Sequence, residues 1–177
     1  MGEAKGFVMK LHILRHAIAV ERGSSDYPND DRPLTREGIR RMKRASKGLR
    51  RIIERPQVIL TSPMKRAYQT AEIAACALKS VRRLAVVTEL LPGARPKEIV
   101  RLLFEHKDCA SLLIVGHEPD LSLFISYLLG SRKGVFLLKK GGLCRVDLSL
   151  GKTRGKAELV WYLTPKLLSM LAARPSK

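Results

Sequence analysis

Cysteine is scarce in this sequence: Cys76, Cys109 and Cys144 are the only three among 177 residues, odd in number and far apart. That spacing excludes a disulfide framework and fits a reducing compartment, so a cytoplasmic protein is expected. Long apolar runs are missing as well. No stretch approaches the roughly 20 apolar residues of a membrane helix. The apolar N-terminal part is interrupted by Lys10, His12, Arg15 and His16, which the core of a secretion signal would not tolerate. Neither export nor a membrane partner is expected. Acidic residues are few, 16 Asp and Glu against 34 Lys and Arg, leaving a formal net charge of +18. Such a surface attracts phosphates, acidic proteins, nucleic acid or anionic lipid, and the charge alone does not choose among them. Internal repeats, low-complexity tracts and linker-like stretches are also lacking. One domain over residues 1–177 is therefore expected, with a core of about 8–165 and a tail of 166–177.

What is present is ordinary for a globular chain: 45% hydrophobic and 28% charged residues. A chain of this length can bury roughly two-thirds of its unfolded surface around one core. Much of the basic charge lies on Arg36, Arg40, Arg41, Lys43, Arg44, Lys47, Arg50 and Arg51, interleaved with Ile39, Met42, Leu49, Ile52 and Ile53 at helical spacing. This reads as the solvated face of an amphipathic helix rather than a dedicated nucleic-acid surface.

The order of elements predicts an α/β fold. "FVMKLHIL" (7–14), "QVILTS" (57–62), "LAVVTE" (84–89) and "SLLIVG" (111–116) read as buried strands, with helical patterns over 35–54, 63–79, 96–106 and about 119–129. Such alternation implies a three-layer α/β/α sandwich around a mostly parallel sheet. "GLCRVDLSL" (142–150) and "AELVWYL" (157–163), joined by "GKTRGK", read as a closing hairpin, so at least one strand should run antiparallel, and the tail from Pro165 predicts a short terminal helix. The connection "AIAVERGSSDYPNDDRPL" between the first strand and the helix capped by Thr35 exceeds the length at which structureless loops become uncommon and usually functional.

Ligands of open α/β sheets bind beyond the carboxyl ends of the strands. Those ends carry Arg15 and His16 after the first strand, Arg66 in "SPMKR" after the second, Glu89 after the third and His117 in "GHEPD" after the fourth. Ser62 is a suitable N-cap and Pro63 a suitable first helical residue, which puts Arg66 in a first helical turn. There free amides, the helix dipole and a guanidinium fork all favour a phosphate. Each residue alone has a plain alternative: a surface arginine for Arg66, a structural hydrogen bonder for His16 or His117. Two arginines, two histidines and a carboxylate on one rim are harder to explain that way.

Taken together, "LRHA", "DRPLTREG", "TSPMKRAYQTAE" and "IVGHEPDLS", in that order from about residue 10 to 164, resemble the histidine phosphatase (phosphoglycerate mutase-like) superfamily and its small SixA-type phosphohistidine phosphatases. Ala17 replaces the glycine usual in the family's Arg-His-Gly triplet, which suggests that the backbone there either needs no left-handed conformation or is slightly constrained. The acidic residues that some relatives carry just after the triplet are absent. The resemblance implies a phosphoglycerate mutase-like fold, His16 as nucleophile, and Arg15, Arg66 and His117 holding the phosphoryl oxygens. It implies Glu89 as the proton donor, where larger relatives keep a carboxylic acid. Arg32, in "DDRPLT", is a candidate substrate contact, with an ion pair to Asp30 or Asp31 as its alternative role.

Elementary chemistry agrees with these roles. A neutral imidazole is a capable nucleophile near pH 7. A phosphoryl group in flight needs mainly alignment and fixed positive charge, which two arginines and a histidine supply without a metal or other cofactor. The implied activity is a hydrolase that removes phosphate from phosphohistidine on a protein, with an acidic phosphotransfer protein as a suitable partner and inorganic phosphate as product. A small-molecule phosphatase or mutase of the same fold is the alternative, and a basic nucleic-acid-binding module without catalysis is a second.

Two other patterns carry little. Cys76 and Arg82 have the C-x5-R spacing of cysteine-dependent phosphatases, yet "CALKSVR" lacks the glycines of a phosphate-wrapping loop and begins inside a helical pattern. His12 and His16 imitate an H-x3-H metal pair, but on a strand they stand about 13 Å apart at roughly 3.3 Å per residue, so no metal site is expected.

Overall fold

The computed structural model describes residues 8–131, 134, 137–149 and 156–173. Strand β1 (Val8–Arg15) leads through the long connection into helix α1 (Arg36–Ile52), then β2 (Val58–Thr61), α2 (Lys65–Ala77), β3 (Leu84–Val86), α3 (Pro96–Glu105), β4 (Ser111–Gly116) and α4 (Asp120–Leu128). Strands β5 (Leu143–Ser149) and β6 (Lys156–Leu163) and helix α5 (Pro165–Ala172) follow. The six strands form one sheet in the order β3-β2-β4-β1-β5-β6. β1, β2, β3 and β4 run parallel, whereas β5 is antiparallel to both β1 and β6. The expected mixed sheet and closing strand pair are present. The "GKTRGK" turn and the end of the tail lie outside the described residues, apart from the backbone of Lys156.

Alternation along the strands sorts the core into two layers. On one face, Leu14, Ile59, Leu113, Val115 and Leu143 meet Met42, Ala45 and Leu49 of α1, the alanines of α2 and Leu168 of α5. On the other, Leu11, Ile13, Leu60, Leu112, Ile114 and Val146 meet Ile99 and Leu103 of α3 and Phe124 and Ile125 of α4. β4 is buried at every position because it lies inside the sheet with helices on both faces.

Several boundaries differ from the sequence-based expectation. The third strand was expected over 84–89 but stops at Val86, and Thr88–Leu90 forms a 3₁₀ turn. Its neighbour β2 ends at Thr61, so on that side only the Val87 amide, bonded to the Thr61 carbonyl at 2.9 Å, extends the ladder. Helix α2 begins at Lys65, not Pro63, and Ser62 is not its N-cap. The Lys65 amide instead donates to Oδ1 of Asp31 at 2.8 Å, a cap delivered from a distant loop. By contrast Thr35 does cap α1, its hydroxyl accepting from the Gly38 amide at 2.9 Å. The long connection after β1 is closed at its base by an antiparallel bridge between Ala19 and Leu34 and by the Thr35 amide donating to the Ile18 carbonyl at 3.0 Å.

Candidate active site

The register of three parallel strands builds one rim. Arg15 lies opposite Gly116, and Thr61 opposite Val115. The next residues continue the pairing: the His16 amide donates to the Gly116 carbonyl and the Ser62 amide to the Val115 carbonyl, each at 3.1 Å. His16, Ser62 and His117 are therefore neighbours although 46 and 55 positions separate them in the chain from 16 to 62 and from 62 to 117. The ring centroids of His16 and His117 stand 5.2 Å apart.

His16 is held in one tautomer. Its Nδ1 lies 2.8 Å from the Ala17 carbonyl, which can only accept, so Nδ1 carries the proton and Nε2 the lone pair. Ala17 is itself fixed, its amide donating to the Thr70 hydroxyl at 3.0 Å. Ala17 is not among the residues with positive φ, in accord with the expectation that alanine suffices there. Burial lowers the His16 pKa from the usual 6.5 to about 3, and the charges of Arg66, Arg15 and Lys140 add to that effect against the Ala17 hydrogen bond. His117 is likewise lowered to about 3, first by burial and then by His16 and Arg66. Both rings are neutral near pH 7.

Each of the two arginines is anchored on a backbone carbonyl. Nη1 of Arg15 donates to the Leu138 carbonyl at 2.7 Å. Arg66, 2% exposed, donates from Nη1 to the Asp30 carbonyl at 2.7 Å and from Nη2 to Oδ2 of Asp30 at 3.2 Å. Among the described residues, the Nε atoms of both arginines and Nδ1 of His117 are buried without a hydrogen-bond partner. Unpaired buried donors are costly and rare. A cluster of them beside a neutral imidazole fits a site built for an oxyanion that supplies the missing acceptors.

The structure thus gathers Arg15, His16, Arg66 and His117, as the sequence suggested. Arg32 makes the ion pair with Asp30, its Nε donating to Oδ1 at 2.6 Å, and its Nη1 donates to the Val20 carbonyl. Through Asp30 it sits in the network of Arg66. Glu89 stands apart. It lies in the turn beyond β3, three strand positions from β1, and its carboxylate accepts a bond from the neighbouring Thr88 hydroxyl at 3.4 Å. Cys76 lies within α2, which cannot wrap an anion, and His12 is buried against Trp161 at a centroid distance of 6.0 Å.

Ser62 and Glu118 escaped sequence reasoning, and Asp30 was expected only as a partner of Arg32. Ser62 is bonded through its hydroxyl to Nε2 of His117 at 2.8 Å and orients that ring, a role hidden by its plausibility as a cap. Asp30 is the shared partner of Arg66 and Arg32 and adopts φ of +57°, an unusual backbone for a residue other than glycine. Glu118 accepts from the Ser122 hydroxyl at 2.7 Å and from the Leu138 amide at 3.2 Å, so the segment whose carbonyl holds Arg15 is itself held by Glu118. Burial raises the Glu118 pKa despite its hydrogen bonds and the nearby Arg15. The only sequence signal for it was a carboxylate adjacent to His117.

Comparison with known proteins agrees with this geometry. The family model of the histidine phosphatase superfamily (branch 1) matches residues 11–91, the part that carries Arg15, His16, Arg32, Arg66 and Glu89. An uncharacterized protein of Picosynechococcus sp. is 35% identical over 172 residues, covering 90% of this chain and 99% of the relative. The structure of the protein histidine phosphatase SixA complexed with tungstate superposes with a TM-score of 0.73 at 22% identity, covering 89% of this chain and 98% of that one. A phosphoserine phosphatase variant from Entamoeba histolytica in complex with phosphoserine gives 0.66 at 13% identity, covering 90% and 99%. These two structures share the fold. With the sequence relative, the family model and the clustered Arg15, His16, Arg66 and His117, they lead to one conclusion: the chain belongs to the histidine phosphatase superfamily.

Proposed function

We propose that this protein is a phosphatase that removes the phosphoryl group from phosphohistidine on a protein, with His16 as the nucleophile. The observation that carries this reading is the fixed tautomer of a buried, neutral His16: Nδ1 bonds the Ala17 carbonyl at 2.8 Å, and the lone pair of Nε2 remains for attack. Arg15, Arg66 and His117 hold the phosphoryl oxygens, and the Nε atoms of the two arginines are donors with no partner among the described residues. In the first step Nε2 of His16 forms a bond to phosphorus in line as the bond to the leaving group breaks, and the leaving group takes up a proton. In the second, water attacks the phosphohistidine, the P–N bond breaks, and inorganic phosphate departs with His16 regenerated.

A departing imidazole leaves more readily than an alkoxide, so a protein-borne phosphohistidine makes the smaller demand on an acid. A small phosphate ester is the competing substrate within the same chemistry, as in the phosphoserine phosphatase that shares the fold.

The test compares the native protein with His16→Ala on a phosphohistidine-bearing carrier protein and on simple phosphate esters. Release of phosphate from the carrier by the native chain alone, with an acid-labile and base-stable phosphoenzyme, is expected. Unchanged release by His16→Ala overturns the nucleophile assignment, and release from esters only moves the substrate to small molecules.

A further inference from the structure

Helix α1 carries a charge pattern that the proposed reaction does not use. Arg40, Lys43, Arg44 and Lys47 are exposed and share adjoining rows at spacings of three and four. Glu37 is the one acid within the helix, and it is taken by Arg40 at 2.6 Å and Arg41 at 2.5 Å. Among the described residues no acidic side chain pairs with Lys43, Arg44 or Lys47. Like charges at these spacings repel and cost helix stability. The seam between α1 and α5 is also hollow. One groove runs past Lys43, Arg44 and Lys47 to Ala172 and Ala173. It shares Arg40 and Arg44 with a second, which continues along Pro165, Lys166 and Met170. That one shares Arg41 and Pro165 with a third hollow, which reaches Arg15 between Lys139 and Lys140 and is floored by Ile18 and Met42.

We propose that this continuous track, from Lys47 along the α1–α5 seam to Arg15, is a docking groove for an acidic polypeptide segment with interspersed apolar side chains, the surface of the phosphoprotein substrate. The inference rests on the phosphoprotein reading and extends it to the recognition surface. Charge complementarity fixes the sign of the partner. The apolar patches fix its class: Met170 is 58% exposed and, with Pro165, Ala172 and Ala173, offers contacts that aliphatic side chains use and a polyphosphate does not. Among the described residues no aromatic side chain lines any of the three hollows, so they offer a nucleic acid no stacking platform there. From Gly38 to Lys47 the helix advances roughly 14 Å at 1.5 Å per residue, a span of about four extended residues. The partner's phosphorylated residue reaches His16 while its flanking acidic residues lie along α1.

The experiment uses the triple variant Lys43→Glu, Arg44→Glu, Lys47→Glu, whose residues lie outside the reaction site. Turnover is measured on a phosphohistidine-bearing acidic carrier protein and on free phosphohistidine, at low and near-physiological salt. For the carrier, kcat/KM is expected to fall at least about tenfold in the variant at low salt, and to fall in the native protein as salt is added. Turnover of free phosphohistidine should not change. An unaltered kcat/KM on the carrier, or an equal loss on both substrates, overturns the groove. Titration with a synthetic peptide patterned in Glu and Leu separates this inference from the reaction. Native protein should bind the peptide, and the variant should not. Tighter binding of a DNA oligonucleotide or polyphosphate of equal charge overturns the polypeptide assignment. Failure of the native protein to dephosphorylate any carrier overturns the phosphoprotein reading, and peptide binding still decides the groove.

Discussion

The carboxylate of Asp30 lies 3.2 Å from Nη2 of Arg66, and the Asp30 carbonyl accepts from Nη1 of the same guanidinium at 2.7 Å. One residue of the long connection therefore both presents the arginine and partly neutralises it. The same carboxylate bonds Nε of Arg32 at 2.6 Å. Partial burial works to raise the Asp30 pKa, yet Arg32 and Arg66 hold it below the ordinary carboxylate range.

Asp30→Asn keeps an oxygen for hydrogen bonding and removes the charge that competes with a phosphoryl oxygen for Arg66. Inorganic phosphate should inhibit the variant more tightly by severalfold, read as a lower inhibition constant. A weaker inhibition would mean that the carboxylate's charge is needed to present Arg66.

Glu118 acts on Arg15 through Leu138, whose amide donates to Glu118 and whose carbonyl receives Arg15. Glu118→Ala should lower kcat/KM about tenfold, since small misplacements of a positioning group are expensive in rate. Glu118→Gln, which can still accept both bonds, should stay within about twofold. An equal loss in the two variants would show that the negative charge or the proton of Glu118 matters instead.

Gly48 on α1 faces α5 at close range: a Cβ there would stand 1.8 Å from the Leu168 carbonyl oxygen. Gly48→Ala must push α5 off α1 and should cost about 1–3 kcal/mol, visible in a chemical denaturation curve. The change should also alter the docking seam without touching His16, so turnover of free phosphohistidine by the folded variant should persist.

Three buried histidines make stability fall on acidification. Burial first, and then neighbouring cations, lower His12 to about 4 and His16 and His117 to about 3. In the unfolded chain they take up protons near pH 6.5, while the native state keeps them neutral. The stability is therefore present above about pH 6.5 and lost as pH falls toward the folded values, at up to roughly 1.4 kcal/mol per unit for each histidine. Denaturation midpoints should drop clearly between about pH 7 and pH 5. Equal midpoints would show that the histidines titrate normally in the folded state.

Much of this protein was legible in its sequence because the determining signals are local. The apolar runs "LHIL" and "SLLIVG" specify buried strands, Thr35 specifies the start of α1, and the order of elements specifies a mostly parallel sheet. The residues Arg15, His16, Arg66 and His117 stood out because each follows a strand or opens a helix, and parallel strands bring such ends together. What sequence could not decide depended on partners far along the chain. Ser62 had the local signature of a helix cap, but its hydroxyl bonds His117 and the Met64 amide, and Asp31 caps the Lys65 amide that opens α2. Glu89 was expected at the end of a strand, but β3 stops at Val86 and Glu89 lies in a 3₁₀ turn beyond it. The tautomer of His16, the pairing of Asp30 with Arg66, and the chain from Glu118 through Leu138 to Arg15 are hydrogen bonds between segments whose approach only the packed sheet fixes. Residue identity supplied the chemistry of this site, and strand register decided which groups face one another.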